Sequence, residues 1–323
     1  MTDRQTEILI MTDLYFNINE EQINLVKDIA NKAAVTVVPN KNATDEMIAR
    51  AEIIFGSPKP SKLILAQNLK WLQLPSAGAD RYVNKNLYFN RNVILTNSSG
   101  VYGIPIAEHV FAMILSFNRN LPEYTLQKNE KKWHIISETR EFYGSTLGVI
   151  GLGDIGHEVA KRAKAWGAKV LAVKKNISNK PDYVDELYTT ENLDEVLKQS
   201  DYIVLTLPST EKTRGIISED RLKMMKPNAF LVNVGRGDLI DQEALVKALN
   251  NNWIAGAGLD VMTPEPLPQD SPLWELSNVL ITQHSSGLSK VNDVRRLKIF
   301  IENLKRYLNN EKLLNTVDFN EGY

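Results

Sequence analysis

The chain has 323 residues, 43% hydrophobic and 24% charged, long enough for two domains that each bury a core. A formal net charge of -1 excludes global attraction to nucleic acid or to an anionic membrane, so any positive site must be local. The absence of cysteine excludes disulfides, thiolate metal sites and a cysteine nucleophile.

The amino-terminal stretch MTDRQTEILIMTD has an apolar run of only a few residues between acids. It fits neither a signal peptide nor a membrane anchor, so the expected location is cytoplasmic. Strand-like runs follow at EILIMT (7–12), VTVVP (35–39), AEIIFG (51–56), LKWLQL (69–74) and VILTN (93–97), separated by amphipathic stretches, which predicts a small α/β unit. GIPIAEHVFAMILSFNRNLPEYTLQ then reads as one long, mostly apolar helix that must be buried. The polar segment KNEKKWHIISETREFYGS lacks periodicity and is long enough to form an arm.

A second, more regular series comes next: TLGVIG (146–151), KVLAV (169–173), DYIVLTLP (201–208), AFLVNV (229–234), AGAGLDV (255–261) and VLITQH (279–284). Nearly every position in these runs is apolar, as expected of parallel strands covered on both faces in a doubly wound sheet. NDVRRLKIFIENLKRYLNN (292–310) reads as a carboxy-terminal helix. With four histidines, His109, His134, His157 and His284, and no pair at zinc-ligand spacing, no metal site is expected.

Gly151, Gly153 and Gly156 form G-x-G-x-x-G between a strand and a helix, with Asp154 and Ile155 inside the motif. The first glycine permits the turn, the second lets backbone approach a pyrophosphate, and the third lets helix and strand pack closely; the helix N-terminus adds N–H donors. The next strand ends in Lys174 and Lys175, where an NAD site of this type usually has an acid. An ammonium a few Å from a ribose 2′-phosphate gains roughly 1 to 4 kcal/mol, which points to NADPH as the preferred cofactor, with NADH possible if the lysines are merely solvated. At the ends of three later strands stand Arg236, Asp260 with Glu265, and His284. An arginine, an acid and a histidine at one sheet edge can bind a carboxylate, tune a proton donor and transfer the proton.

SAGAD, SGVYGIPIAEH, GLGDIG, LPSTEKTRGII, NVGRGDLIDQEAL, GLDVMTPEPLP and HSSG occur in an order that resembles the D-isomer-specific 2-hydroxyacid dehydrogenases, most closely the NADPH-dependent glyoxylate/hydroxypyruvate reductase group. The resemblance implies two doubly wound parallel-sheet domains, a Rossmann dinucleotide-binding domain (101–288) inserted into a flavodoxin-like substrate domain (1–100 and 289–323). It implies that Arg236 holds the substrate carboxylate, that His284 donates a proton to the carbonyl, and that Glu265 orients the imidazole and favours its protonated form. Ala77 and Gly78 would offer backbone N–H groups to the same carboxylate. Asp260 and the Val234 carbonyl would bind the nicotinamide carboxamide, Leu207 and Pro208 would pass along the cofactor, and Thr213 would lie near its phosphates.

The activity so implied is reduction of a small 2-oxo acid, glyoxylate or hydroxypyruvate-like, to the D-2-hydroxy acid. An NAD-linked D-lactate or phosphoglycerate dehydrogenase and a non-catalytic dinucleotide-sensing protein are the competing readings. The family's homodimer is expected through the apolar helix and the arm. Glu108 and His109 read as helix-packing residues, His134 and His157 as surface residues. Lys174 departs from the family's frequent acid, and Gln283 stands before His284 where proline is common. No regulatory domain follows residue 310, the expectation being a short form.

Overall fold

The computed structural model describes residues 5–177 and 179–322, so the first four residues of the amino-terminal segment lie outside the described part. The chain divides into two compact units, one made of 1–101 and 288–323, the other of 102–287. In the first, β1 (Glu7–Thr12), α1 (Glu20–Ala30), β2 (Ala34–Pro39), α2 (Asp45–Arg50), β3 (Ile53–Phe55), β4 (Trp71–Gln73) and β5 (Ile94–Thr96) alternate along the chain. All the strand pairs are parallel, in the order β2-β1-β3-β4-β5, the flavodoxin-like winding. Side chains of a strand alternate between faces, and both faces here are apolar. Ile8 and Ile10 join one core with Phe55 and Trp71, while Leu9 and Met11 join another with Ile54 and Leu72.

In the second unit the chain forms α3 (Gly103–Asn118), α4 (Leu121–Asn129), β6 (Thr146–Ile150), α5 (Asp154–Ala165), β7 (Lys169–Val173) and β8 (Glu186–Tyr188). Then come α6 (Leu193–Gln199), β9 (Tyr202–Leu205), α7 (Glu219–Met224), β10 (Phe230–Asn233), α8 (Gln242–Asn250), β11 (Gly256–Leu259) and β12 (Val279–Ile281). The parallel sheet runs β12-β11-β10-β9-β6-β7-β8, so the order reverses beside β6, the switch point where open α/β sheets bind ligands. Buried residues of α3 and α5 cover one face with Val149, Ala172 and Val204; those of α6, α7 and α8 cover the other with Ile150, Leu171 and Leu205. These two covered faces explain the uniformly apolar strands of this half.

After residue 287 the chain returns to the first unit as α9 (Asn292–Leu308). Its Leu297, Phe300 and Leu304 are buried, and the Phe300 ring stacks on Phe55 at 4.4 Å and on Trp71 at 5.4 Å. Arg296, 5% exposed, donates from Nε to the Pro75 carbonyl at 3.0 Å and from Nη1 to the Tyr15 carbonyl at 2.5 Å, pinning the loops after β4 and β1 to the helix.

One expectation changes. The single long helix is two, because Asn120 takes a left-handed conformation (φ 52°) and Pro122, in the first turn of α4, lacks the N–H a continuing helix needs. The arm has no regular secondary structure but is tied back to α3 and α4: Ile136 N–H donates to the Tyr124 hydroxyl at 3.0 Å, and Arg140 N–H to the Asn118 carbonyl at 3.1 Å. β8, a half-buried three-residue edge strand, carries too little hydrophobic pattern to be read beforehand.

Candidate active site

The glycine turn is built by close approach. Gly151 has φ 108°, and a Cβ at Gly156 would lie 2.0 Å from the Gly151 carbonyl oxygen, so any side chain there would prise α5 off the turn. A Cβ at Gly153 would meet nothing within 4 Å, so the turn presents open backbone beside the first turn of α5. Exposed backbone at a helix N-terminus beside the sheet's switch point fits the pyrophosphate of a dinucleotide. Asp154 is the first residue of α5, and its Oδ2 accepts the Gly103 N–H at 2.9 Å, fastening α3 to this turn; Ile155 beside it is half-buried.

The end of β7 is stitched to the same turn, since the Val173 carbonyl accepts both Gly151 N–H at 3.0 Å and Leu152 N–H at 3.2 Å. Lys174 follows directly, half-buried, its N–H donating to the Tyr188 carbonyl at 3.0 Å; Lys175 is exposed. His157, on the next turn of α5, has Nδ1 2.7 Å from the Tyr183 hydroxyl. Its pKa is lowered by burial first, then by the charges of Lys174 and Lys161. Lys174 thus follows directly on the residue whose carbonyl anchors the glycine turn.

Leu207 and Pro208 lie just beyond β9, half-buried, and Thr213 folds back on them: its hydroxyl donates to the Pro208 carbonyl at 2.7 Å and accepts the Thr210 N–H at 2.8 Å. Val234 and Arg236 follow β10. The buried Asn233 side chain shapes this turn, accepting Gly235 N–H at 3.1 Å and donating to the Arg236 carbonyl at 2.8 Å. Arg236 Nη1 donates to the Gly235 carbonyl at 2.7 Å, which folds the guanidinium back over its own turn. Asn233 carried no expected role, although NVGRG contains it.

His284 Nδ1 and Glu265 Oε2 are 2.9 Å apart, and Glu265 Oε1 accepts the Met262 N–H at 3.1 Å. Both carboxylate oxygens are therefore engaged, one on the imidazole and one on backbone. The peptide bonds before Pro264 and Pro266 are cis. His284 itself sits at φ 50°, a left-handed conformation rare for a residue with a side chain. Its N–H donates to the Asp260 carbonyl at 2.8 Å, so the exchange of proline for Gln283 leaves the imidazole on Glu265.

The Asp260 side chain is fully buried. Oδ1 accepts the Thr282 hydroxyl at 2.6 Å, Ser285 N–H at 2.9 Å and Ser286 N–H at 3.2 Å, while Oδ2 accepts Ser286 N–H at 3.1 Å. Burial opposes ionisation, but the hydrogen bonds from Ser286, Thr282 and Ser285 outweigh it and hold the carboxyl below the ordinary aspartate range. His109, expected only to pack its helix, instead reaches this cluster, with Nε2 3.0 Å from Thr282 Oγ1; Glu108 points to solvent. The α3 register turns His109 inward beside β12, a contact across 173 positions that local pattern does not carry.

In the first unit, the loop after β4 has its carbonyls taken. Ser98 N–H donates to Ser76 O at 2.8 Å, Asn97 Nδ2 to Ala77 O at 2.7 Å, and Ser76 Oγ to Gly78 O at 2.7 Å. Among the described residues, no group of three or more His, Asp or Glu side chains could hold a metal ion, and no helix is long and apolar enough to cross a membrane.

A family model described as D-isomer specific 2-hydroxyacid dehydrogenase, NAD binding domain, matches residues 111–286. A crystal structure of a D-isomer specific 2-hydroxyacid dehydrogenase family protein from Aeromonas salmonicida subsp. salmonicida A449 is 32% identical with a TM-score of 0.85, covering 98% of this chain and 99% of that one. A D-isomer specific 2-hydroxyacid dehydrogenase from Xanthobacter autotrophicus Py2, in complex with NADPH and MES, is 27% identical with a TM-score of 0.83, covering 98% of this chain and 100% of that one. A glyoxylate reductase of Korarchaeum cryptofilum (strain OPF8) is 38% identical over 220 residues, spanning 66% of each chain and so just under two thirds of that relative's own length. With the matched region covering the glycine turn, Arg236, Glu265 and His284, the chain belongs to the D-isomer specific 2-hydroxyacid dehydrogenases, a family of NAD(P)-dependent oxidoreductases.

Proposed function

We propose that this protein reduces a small 2-oxo acid, glyoxylate or hydroxypyruvate-like, to the D-2-hydroxy acid, with NADPH as the preferred cofactor. The observation that carries this reading is the imidazole of His284 held on Glu265 at 2.9 Å in the same unit as the glycine cradle. With Nδ1 engaged by a carboxylate, Nε2 is the nitrogen left to meet substrate. It gives its proton to the carbonyl oxygen of the bound oxo acid and takes it back in the oxidative direction. Arg236 grips the substrate carboxylate with a forked donor geometry that lysine could not reproduce. When bound, the reduced nicotinamide supplies the hydride.

Gly151, Gly153, Asp154, Ile155 and Gly156 are assigned to the pyrophosphate, Leu207, Pro208 and Thr213 to the cofactor's flank, and the Val234 carbonyl and Asp260 Oδ2 to the carboxamide. Lys174 and Lys175 are assigned to the ribose 2′-phosphate. The NADPH found with the Xanthobacter relative supports that choice, as does the placing of Lys174 directly after the residue that anchors the glycine turn. A homodimer formed through α3, α4 and the arm is part of the proposal, motivated by Trp133 at 96% and Ile135 at 75% exposure; light scattering should return the mass of two chains.

The experiment compares kcat/KM for NADPH and NADH across short 2-oxo acids, with His284→Gln alongside. Expected are NADPH-linked turnover and, in the variant, a kcat lower by about 100-fold or more with cofactor affinity retained. No oxidation of NADPH with any 2-oxo acid by a protein that binds the dinucleotide normally would discard the reading.

A further inference from the structure

We propose that His109 is a positioning residue for His284, acting through Thr282 and Asp260. The inference rests on the reading of His284 as the proton donor. Thr282 Oγ1 lies 3.0 Å from His109 Nε2 and 2.6 Å from Asp260 Oδ1, while His109 Nε2 is 3.9 Å from that oxygen. A hydroxyl has one proton, and an ionised carboxylate can only accept. Thr282 therefore donates to Asp260 and has only a lone pair for His109. This assigns the proton on His109 to Nε2 and gives the chain one direction, His109 N–H to Thr282 O–H to the Asp260 carboxylate.

The carboxylate at its end gathers the segment around His284. It accepts the N–H groups of Ser285 and Ser286, and the backbone carbonyl of Asp260 accepts that of His284. These contacts hold His284 at φ 50°, a conformation that costs on the order of 1 to 3 kcal/mol and persists only where its surroundings impose it. The Thr282 hydroxyl makes the shortest of the hydrogen bonds to the carboxylate, and His109 donates to one of its oxygen's lone pairs. Without His109 the hydroxyl is free to rotate away from Asp260, and the segment relaxes around the imidazole. A displacement of about 1 Å at a reacting group can cost about 100-fold in rate, so a partial loosening should be visible in turnover.

Side-chain geometry supplies the test. A glutamine amide can place an N–H near the former Nε2, whereas asparagine stops near Nδ1 and falls short of Thr282. His109→Asn is expected to lower kcat about 10-fold with KM for the oxo acid within about twofold, and His109→Gln to restore most of it. His109→Asn combined with Thr282→Val should be no slower than Thr282→Val alone, because both break one chain. In protein without cofactor, amide exchange at Ser285 and Ser286 should quicken about 10-fold in the asparagine variant and return to the parental rate in the glutamine variant.

Parental kcat and parental exchange in His109→Asn would overturn the proposal, as would losses that multiply in the double variant. Circular dichroism of each variant excludes general unfolding, and if the asparagine variant does not fold, Thr282→Val against Thr282→Ser asks the same question of the middle link. Should His284→Gln keep parental turnover, the assignment of the proton donor fails, while the exchange measurements still decide whether His109 holds the segment.

Discussion

Lys174 is a residue whose charge and place make different demands. Its backbone N–H belongs to the sheet, bonded to Tyr188, and only its side chain is available to discriminate between cofactors. An aspartate there would repel a 2′-phosphate and suit free ribose hydroxyls, so Lys174→Asp should shift the NADPH/NADH ratio of kcat/KM toward NADH by at least about 10-fold, equivalent to about 1.4 kcal/mol. Steady-state kinetics with both cofactors checks it, and an unchanged ratio would remove Lys174 from the discrimination. At this scale Arg236, Glu265 and His284 were legible because each follows an apolar run inside a recognisable motif. Asn233 and His109 were not, since an asparagine within a turn and a histidine on an apolar helix declare their partners only once the chain is folded.

The glycine turn, α5 and the end of β7 form one element-scale device, and Gly156 is where it is tightest. Gly156→Ala puts a Cβ on the Gly151 carbonyl, a backbone atom that cannot step aside, and should destabilise by about 1 to 3 kcal/mol and abolish dinucleotide binding. Urea denaturation together with a fluorescence titration of NADPH measures both, and a variant that binds normally would contradict the close-packed geometry. The Asp260 segment carries a pH signature. Its carboxyl is held below the ordinary range in the folded state, so the stabilisation is fully present above an unfolded pKa of about 4 and is lost as pH falls through the lower folded value. Asp260→Asn should therefore unfold at lower urea than the parent at pH 7, with the gap narrowing on acidification below about pH 4; a gap independent of pH would mean the charge is not what matters. The parallel strands of both sheets could be read from their apolar runs, with ends shorter than the runs. Their neighbours could not, because hydrophobicity states that a strand is buried and not beside which strand it lies.

For the molecule as a whole, the notable arrangement is that one unit is made from two distant stretches of chain. α9 completes the core begun by β1, β3 and β4, through Phe300 between Phe55 and Trp71. Phe300→Ala should cost about 3 to 5 kcal/mol, and because Phe300 lies in the 1–101/288–323 unit the loss belongs to that unit. Hydrogen exchange across the whole chain would show increased opening in β1, β3 and β4 with little change in β6 and β9; uniform loss of protection would mean that the two units unfold as one.

By itself the sequence determined the two α/β series, the glycine cradle with lysines after it, and the Arg, Glu and His that point to the family, since each is local pattern or residue chemistry at a fixed spacing. Only the tertiary structure decided that Asn120 divides the apolar helix, that Asn233 shapes the Arg236 turn, and that His109 meets Thr282, two residues before His284. Those outcomes depend on which side chains a close-packed sheet and its helices turn toward each other, and that is set by register and crossing geometry among residues far apart in the chain.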